Sequence, residues 1–334
     1  MTIGKAEAQS PDRASTSGFS FIVPCFRTLD EAAIRDHLAR DHFFWLDLTG
    51  PSREDVDKLR ELFGFHPLAL KDTLSFGQRP KLDSFQDYAF LVFYGAQDPA
   101  PRKEPLQEVQ MYISGKYLVT VHEDPLSALQ DQRDRLQGRV LHSEQFLLYR
   151  VFDALTDSFF PLLARIDEEI DELEAAIIAN PTNDQLQRLF GLKRQLVAMR
   201  KVVTPQRDLF GRSIDQIAEL PGLALDERDY FRDVYDHLIR ISDLIDSYRD
   251  LLSGATDLYL STVSNRQNDV MKQLAIVGTI FLPLSFITGF FGQNFGWFVT
   301  KVIPSTWSFF VFGLGSLVAT CVILLVFFKR KGWM

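Results

Sequence analysis

The fold class of this 334-residue chain is decided by the stretch LAIVGTIFLPLSFITGFF, residues 274–291. A second apolar stretch, WSFFVFGLGSLVATCVILLVFF, occupies residues 307–328, and neither stretch contains Asp, Glu, Lys or Arg. Each approaches the roughly 20 residues that a helix needs to cross the hydrocarbon of a bilayer. Neither shows the polar face of a soluble amphipathic helix, which argues against a pair of buried core helices. The pattern therefore predicts two transmembrane helices near the C-terminus.

The distribution of basic residues predicts how these two spans are oriented. The tail at residues 329–334 begins with three basic residues, and Arg266 and Lys272 precede the first span. The connecting loop, residues 293–306, contains only Lys301. Because Lys and Arg are enriched in cytoplasmic segments, both termini are predicted to lie in the cytoplasm and the loop outside.

The composition of the remaining chain excludes several functional classes. Residues 1–18 are polar and lack an apolar stretch, which predicts a disordered tail rather than a signal or transit peptide. The net charge of −8 argues against nucleic-acid binding and leaves acidic surface available to cations. Cys25 falls in the soluble part and Cys321 within the second span, so we expect no disulfide and no cysteine-based metal site.

Residues 19–140 alternate β-rich runs with helical patterns, which predicts an α/β cytoplasmic domain with a largely buried sheet. The predicted strands are FSFIVPCF, HFFWLDL, YAFLVFYGA, VQMYIS and KYLVTVH. Ser52, just before REDVDKLRELFGF, predicts the N-cap of an intervening helix. The domain lacks a Gly-rich phosphate loop, a nucleophile elbow and a paired-histidine metal motif, so we do not expect an enzyme.

Beyond this domain the apolar spacing becomes helical. Residues 141–225 predict antiparallel long helices: EQFLLYRVFDALTDSFFPLLARIDEEIDELEAAII, a stop at ANPTND, and a return through QLQRLFGLKRQLVAMRKVV. A third helix is predicted over residues 226–292, from near Asp226 into the first span. A helix of roughly 65 residues is on the order of 100 Å long. No single domain covers such a rod, so neighbouring helices or further copies of the chain are expected to do so.

An acidic block lies on the first of these long helices. It consists of Asp167, Glu168, Glu169, Asp171, Glu172 and Glu174. A charge run on a long helix is typical of a solvated face. The functional alternative is a field that attracts cations toward a pore.

Several motifs resemble the CorA family of divalent-cation transporters. They are YFRDVYDH at residues 230–237, DLYLSTVSNRQNDVMKQLAIVGTIFLPLSFITGFFGQNF at residues 257–295, the basic tail, and FGFHPLALKDTL and QRPKLD in the α/β domain. The similarity covers nearly the whole chain, and its Gly-x-Asn tripeptide is highly specific at the end of the first of two C-terminal spans. The resemblance implies a funnel-shaped homopentamer in the lipid of a prokaryotic plasma (inner) membrane. It also implies transport of Mg²⁺, and of Co²⁺ or Ni²⁺.

A stripe at 3.5-residue spacing along the third helix is small, polar or flexible, whereas the rest of that segment is bulky. It consists of Asn268, Met271, Ala275, Gly278, Leu282, Ser285 and Gly289. From spacing alone the stripe is equally a pore lining or a helix-packing seam. The resemblance favours a pore lining and places Asp257 and Asn268 in polar rings of the cytoplasmic pore.

By the same resemblance, Gly292, Gln293 and Asn294 occupy the family's signature, where a ring of five Asn side chains meets the incoming ion. Mg²⁺ sheds water reluctantly, and carboxamide oxygens can accept hydrogen bonds from its intact hydration shell. Such a selectivity filter selects a hydrated ion by size and charge. As a purely structural alternative, Asn294 is suited to cap the C-terminus of the helix.

Asp72, Asp153 and Asp233 match positions where family members bind regulatory divalent ions between adjacent cytoplasmic domains. The implied mechanism is that cytosolic Mg²⁺ bridges carboxylates and holds the pentamer closed. When Mg²⁺ falls, like charges repel and the pore opens. From residue type alone, each of these three residues is interpreted as an ordinary surface carboxylate.

Three residues depart from the family pattern. Gln293 replaces the usual Met of the signature. The loop after the signature contains Lys301 and lacks the acid of typical members. Lys71 stands where an acid often precedes Asp72, so it is expected to pair with Asp72 and weaken a regulatory metal site.

Two alternatives remain open from the sequence. A zinc-transporting branch of the family shares this architecture and varies at the same positions, which would make the chain a proton-coupled Zn²⁺ transporter. The other alternative is a membrane-anchored cation sensor that conducts little and signals through its cytoplasmic domain.

Overall fold

The computed structural model describes residues 21–97, 105–137, 139–141, 143–218, 228–293, 296–301 and 305–333. The predicted tail at residues 1–18 lies outside the described residues. The chain forms two compact units. The first comprises Met1–Leu173 and Gln187–Gly254, and the second comprises Glu174–Leu186 and Ala255–Met334.

The first unit is built on a six-stranded mixed sheet. Its strands are β2 (Cys25–Phe26), β3 (Phe44–Thr49), β4 (Lys81–Ser84), β5 (Ala89–Ala96), β6 (Leu106–Ile113) and β7 (Tyr117–His122). The order is β2-β3-β7-β6-β5-β4, in which β3 pairs in parallel with both β2 and β7 and the remaining pairs are antiparallel. Every residue of β5 and β7 is buried, so both faces of the sheet are covered there, as the apolar runs predicted.

The first predicted strand, FSFIVPCF, is wrong as a single element. It divides into β1 (Phe21–Ile22), which pairs antiparallel with β8 (Val140–Leu141), and β2, which joins the main sheet. Pro24 lies between them and has no amide hydrogen for a strand ladder, which explains the division. The edge strand β4 was not predicted, because its four residues are mostly polar.

Five helices accompany the sheet along the chain. They are α1 (Glu31–Ala39), α2 (Arg53–Phe63), α3 (Pro67–Thr73), α4 (Ser127–Leu136) and α5 (Glu144–Asp157). The predicted N-cap Ser52 is confirmed: its side chain accepts from the Asp55 amide, and the Asp55 side chain accepts from the Ser52 amide. Gly64 ends α2 with a φ of +68°, a backbone conformation that favours glycine.

A buried charge network lies within the sheet. Asp47 on β3 is 2 % exposed, and its Oδ1 accepts a hydrogen bond from Thr120 Oγ1 at 2.6 Å. The same oxygen lies 3.0 Å from His122 Nε2, while Oδ2 accepts from the Arg133 guanidinium on α4. Because these partners satisfy both carboxylate oxygens, the charge is compatible with its burial.

Three long helices follow: α6 (Phe159–Ala179), α7 (Asn183–Ala218) and α8 (Arg228–Phe291). The prediction of one helix through α5 and α6 is wrong, because Ser158 interrupts it. Pro161 explains the interruption, since its nitrogen cannot donate to the carbonyl of Asp157 four residues earlier. The predicted stop at ANPTND is present between α6 and α7. Asp226, the predicted start of the third helix, lies outside the described residues.

An aromatic cluster packs the long helices of the first unit on the sheet. Phe93 of β5, Phe152 of α5 and Phe210 of α7 lie with ring centroids 5.1–5.6 Å apart, and all three are buried. Offset and edge-to-face contacts of this kind add to the energy of apolar burial. The cluster fixes the rotation of α5 about its axis. It thereby fixes the direction of Asp153, the residue after Phe152.

In the second unit, the turn between α6 and α7 is tied to α8. Arg266 Nη2 donates to the Ala179 carbonyl at 2.8 Å, and its Nη1 donates to Asn180 Oδ1. Tyr259 Oη donates to Asn183 Oδ1 at 3.3 Å. Arg266 is therefore held by the end of α6, and Asn268 follows it two residues later.

The C-terminal part is helical. It contains α9 (Gly296–Lys301), α10 (Thr306–Ser308), a π-helical turn (Phe309–Leu314) and α11 (Gly315–Arg330). The short helix α9 falls in the segment expected to be a loop. By length and composition, two helices could cross a membrane, one within Asp229–Phe291 and one over Phe310–Arg330, and their apolar windows are almost wholly exposed. A wholly exposed apolar helix is what lipid contact requires.

Candidate functional site

Two helices of the first unit bring four ionisable residues together. Asp153 and Asp157 lie on α5, and Asp233 and His237 lie on α8. Each pair is spaced by four residues, which places its members on one helix face. The sequence predicted Asp153 and Asp233 but missed Asp157 and His237. The same four-residue spacing from each predicted residue is the signal that could have found them.

His237 is the centre of this carboxylate cluster. Its Nδ1 lies 3.1 Å from Asp157 Oδ1 and 3.8 Å from Asp153 Oδ1, and its Nε2 lies 3.8 Å from Asp233 Oδ1. The buried Nδ1 makes no hydrogen bond to a described residue, although Asp157 Oδ1 lies 3.1 Å away. A buried nitrogen of this kind costs free energy unless some other partner satisfies it.

The cluster holds an excess of negative charge at a partly buried position. Asp153 is 8 % exposed, and burial is the largest cause of its raised pKa. The Asp157 carboxylate raises the pKa further, whereas Arg150 and His237 oppose the shift. Arg150 lies 3.5 Å from Asp153 Oδ2 and balances only part of the charge. An added cation would relieve this electrostatic cost.

Tyr149 supports the cluster from α5. Its hydroxyl donates to Asp233 Oδ2 at 3.1 Å. Burial, followed by the Asp153 and Asp233 carboxylates, raises the pKa of Tyr149 to about 12, so the hydroxyl stays neutral and keeps its proton for this bond. Its ring lies 4.8 Å from the ring of Tyr230, one turn before Asp233 on α8.

These side chains fit a divalent cation. One ligand atom from each of Asp153, Asp157 and His237 lies within 4.8 Å of the other two. Carboxylate oxygens suit Mg²⁺, and an imidazole nitrogen suits Co²⁺, Ni²⁺ or Zn²⁺ better than Mg²⁺. An ion here would join α5 to α8 within one chain and would give the His237 nitrogen a partner.

Asp72 is not a member of this cluster. Its Oδ2 lies 2.7 Å from Lys81 Nζ, and the same ammonium lies 2.8 Å from Asp83 Oδ2. The expected pairing with Lys71 is wrong, because Lys71 is exposed and no carboxylate of the described residues lies within ion-pair distance of it. Lys81, ten residues after Lys71, pairs with Asp72 instead.

The candidate pore residues all lie on α8 within the second unit. Asp257 and every member of the stripe are exposed, including Met271 at 58 % and Leu282 at 75 %. The half-buried positions of the same segment fall on another face, at Lys272, Ile276, Ile280, Pro283, Leu284, Ile287 and Phe291. Within a single chain the stripe is therefore not a packing seam, and it is open to solvent, lipid or another copy.

The structure describes two residues of the signature. Gly292 donates its amide to the Thr288 carbonyl at 2.9 Å, and Gln293 donates to the Phe290 carbonyl at 3.3 Å, so both continue the last turn of α8. Both are exposed. Asn294, the predicted filter residue, lies outside the described residues.

Half of the acidic block on α6 is exposed, and the other half is partly buried. Glu168, Asp171 and Glu172 are exposed, and Glu169 forms a 2.9 Å ion pair with Arg188 on α7. These positions agree with the interpretation of a solvated helix face.

The sequence pattern of the family described as CorA-like Mg²⁺ transporter proteins matches residues 40–330. The chain belongs to this CorA family. The cobalt/magnesium transport protein CorA of Thermotoga maritima is 36 % identical over 315 residues, which cover 92 % of this chain and 88 % of that protein. The protein of the same description from Methanocaldococcus jannaschii is 26 % identical over 317 residues, covering 91 % and 94 %.

The CorA fold is also present in a solved structure. The complete structure of the CorA magnesium transporter from M. jannaschii matches with a TM-score of 0.74 at 24 % identity, over 87 % of this chain and 91 % of that one. This match supports the predicted architecture of an α/β domain, a long helix and two apolar C-terminal helices. CorA proteins are transporters and not enzymes, as expected from the sequence. With its two apolar helices, the chain is a membrane protein.

Proposed function

We propose that the protein is a homopentameric channel for divalent cations in the plasma (inner) membrane of a prokaryotic cell, with both termini in the cytoplasm. It carries Mg²⁺, with Co²⁺ or Ni²⁺ as further substrates. The observation that carries the proposal is the exposed stripe of α8, from Asn268 to Gly289, in a chain that belongs to a family of Mg²⁺ transporters. A face of small and polar residues that its own chain leaves open suits contact with hydrated ions at a central axis.

The pore residues have distinct roles in this proposal. Asp257 and Asn268 form polar rings at the cytoplasmic end, and Met271, Leu282, Ser285 and Gly289 line the narrower apolar part. Gly292, Gln293 and Asn294 form the filter at the outer end. Amide oxygens there accept hydrogen bonds from the water that Mg²⁺ retains, so the ion enters hydrated. The membrane potential, negative inside, drives it inward.

Gating rests on the carboxylate cluster. Asp153, Asp157 and His237 hold a divalent ion that joins α5 to α8, and Asp233 lies next to it on α8. When cytosolic Mg²⁺ falls, the cluster loses its cation and the carboxylates repel one another. The resulting shift of α8 changes the pore that the same helix lines. Asp72 contributes a second regulatory site toward a neighbouring copy, once Lys81 is displaced.

Proton-coupled Zn²⁺ transport is the weaker alternative. His237 adds a nitrogen ligand that suits Zn²⁺ as well as Co²⁺ and Ni²⁺. The relatives from T. maritima and M. jannaschii are both described as cobalt/magnesium transport proteins, which favours Mg²⁺ and Co²⁺.

The deciding experiment is ion flux into proteoliposomes loaded with a Mg²⁺-sensitive dye, under an imposed negative-inside potential. Wild type is compared with Asn294→Ala and with Asn265→Ala, an exposed amide of α8 outside the stripe. We expect uptake that follows the potential, is lost in Asn294→Ala and persists in Asn265→Ala.

Other outcomes separate the alternatives. Flux of Zn²⁺ that requires a pH gradient would assign the chain to proton-coupled zinc transport. Absence of flux for every ion from correctly inserted pentamers, with a metal-dependent change in the cytoplasmic domain retained, would make it a sensor. Either result contradicts the proposed Mg²⁺ channel.

A further inference from the structure

A groove in the first unit has a charge opposite to that of the chain as a whole. One wall is the loop at residues 77–80 with Tyr94 and Leu106 from the sheet, and the other is α7 at residues 197–205. The cavity between them has a volume of about 650 Å³. A second cavity of about 510 Å³ adjoins it along α7, because both are lined by Val197, Ala198 and Lys201. We call the two together the basic groove.

Five cations line the basic groove, and no Asp or Glu is among its lining residues. They are Arg79, Lys193, Arg194, Arg200 and Lys201. Arg200 pairs with Asp246 at 2.9 Å. In the part of the chain that the structure describes, no carboxylate lies within ion-pair distance of the other four. Four unpaired cations in one concavity of a chain with a net charge of −8 produce a positive local potential.

The loop that carries Arg79 is held in place by hydrogen bonds to Glu108 and Tyr94 of the sheet. Glu108 Oε2 accepts from the amides of Gly77 at 2.6 Å and Gln78 at 2.7 Å. The Tyr94 hydroxyl lies 2.5 Å from the Gln78 carbonyl and 3.1 Å from Glu108 Oε2. Burial and the adjacent Glu108 carboxylate raise the pKa of Tyr94, so its hydroxyl is neutral. The groove is therefore preformed, which lowers the entropic cost of binding a ligand.

Apart from Gln78 and Thr204, the remaining lining of the larger cavity is mainly apolar. Pro80, Leu106, Val197, Val202 and Pro205 line the larger cavity together with the Tyr94 side chain. Pro205 lies inside α7 and cannot donate a backbone hydrogen bond to the Lys201 carbonyl. Val197 is 42 % exposed although it faces this cavity. A mainly apolar concavity of roughly 300–1,000 Å³ with a few charged groups is typical of a small-molecule site.

We propose that the basic groove binds a small molecule with a flat aromatic ring and a phosphate chain, such as a nucleoside triphosphate. The ring packs against Pro80, Leu106 and Val197, and the phosphates extend along α7 between Arg79 and Lys201. The second cavity, with Lys193 and Arg194, lies further along the same helix and accommodates the end of the chain. This inference is independent of ion transport, since it uses none of the pore or cluster residues.

An acidic helix from a second copy is the rival occupant. The exposed acids of α6 have the complementary charge. A cavity of about 650 Å³ lies, however, within the roughly 300–1,000 Å³ that is typical of small-molecule sites. The volume and the cationic lining together favour a small phosphorylated ligand.

The test is isothermal titration of the full-length protein in detergent with ATP, in EDTA so that free nucleotide is the probe. We expect saturable binding that Arg79→Ala and Lys201→Ala each weaken about tenfold, because each removes a charge-assisted contact. Arg212→Ala, an exposed arginine of α7 outside the groove, is the matched control and should leave binding unchanged. Adenosine and inorganic triphosphate should each bind more weakly than ATP.

Several results would overturn the proposal. If ATP does not bind at millimolar concentration, the groove is not a nucleotide site. The same conclusion follows if Arg79→Ala and Lys201→Ala both bind ATP as tightly as wild type. Inorganic triphosphate that binds as tightly as ATP removes the role of the apolar walls. If Lys201→Glu changes the oligomer size on a sizing column while ATP does not bind wild type, the groove is a contact between copies instead.

Discussion

Lys81 Nζ lies 2.7 Å from Asp72 Oδ2, so a cation of the chain itself already occupies the carboxylate that was expected to bind a regulatory ion. The backbone carbonyl of Asp72 is also held, since it accepts from Gln78 Nε2 at 3.1 Å and Gln110 Nε2 at 3.0 Å. The segment is thus fixed with its carboxylate toward Lys81. A divalent ion that binds Asp72 must first displace this ammonium, which raises the Mg²⁺ concentration at which the site fills.

We expect Lys81→Met to lower the Mg²⁺ concentration that half-protects the cytoplasmic domain against protease. The decrease should be up to about fivefold, because a partly exposed ion pair contributes at most about 1 kcal/mol. Lys116→Met is the control, since Lys116 pairs with Asp41 at 2.6 Å on another part of the domain. An unchanged or higher half-protective concentration in Lys81→Met would show that Asp72 does not bind Mg²⁺.

His237 provides a prediction about ion preference. His237→Gln removes the nitrogen ligand but keeps a side chain that can offer an oxygen. We expect Co²⁺ and Ni²⁺ to raise the melting temperature of the full-length protein much less in this variant, while the effect of Mg²⁺ stays nearly the same. His42→Gln, at an exposed histidine near β3, serves as the control. Equal losses for Mg²⁺ and Co²⁺ would contradict a specific role of the imidazole.

The buried network of the sheet provides a prediction about stability. Asp47→Asn leaves Arg133 and His122 without their shared carboxylate, and breaking a buried pair in this way costs about 3–5 kcal/mol. Asp134→Asn removes an exposed pair with Arg27 and should cost less than about 1 kcal/mol. Urea unfolding of the full-length protein in detergent, followed by tryptophan fluorescence, measures both. If the two variants lose similar amounts of unfolding free energy, burial does not make the Asp47 network more important for stability than an exposed ion pair.

Local patterns in the sequence were enough for the elements that depend on local physics. Ser52 was recognisable as an N-cap because its partner Asp55 lies three residues away. The interruption at Ser158 was predictable in principle from Pro161, but the strong apolar periodicity on both sides concealed it. The edge strand β4 has no such periodicity, and it exists because β5 offers it a hydrogen-bonding partner.

Contacts between segments that are distant in the chain could not be predicted from the sequence. The four-residue spacing marks Asp157 and His237 as neighbours of Asp153 and Asp233 on their own helices, but it could not reveal that α5 and α8 meet there. The choice of Lys81 over Lys71 as partner of Asp72 depends on where the chain turns after α3. The sequence left the stripe of α8 equally compatible with a pore lining and a packing seam, and its exposure excludes only a seam within one chain.

Asp153 leads to a prediction about pH. Its pKa is raised above the ordinary value of 3.8, so the folded protein binds this proton more tightly than the unfolded chain does. Stability from this group is therefore present at low pH and is lost as the pH rises from 3.8 through the raised pKa. At neutral pH the ionised Asp153 opposes folding. In EDTA at pH 7, we expect Asp153→Asn to have a higher melting temperature than wild type.

The difference in melting temperature should disappear as the pH approaches 4 and should reverse when Mg²⁺ is added at pH 7, because the variant lacks a ligand that the ion stabilises. Asp250→Asn is the control, since its carboxylate is exposed and lies outside the cluster. A lower melting temperature of Asp153→Asn in EDTA at pH 7 would mean that the ionised carboxylate stabilises the fold without metal. In that case Arg150 and His237 would already balance its charge, and the cluster would not need a divalent ion.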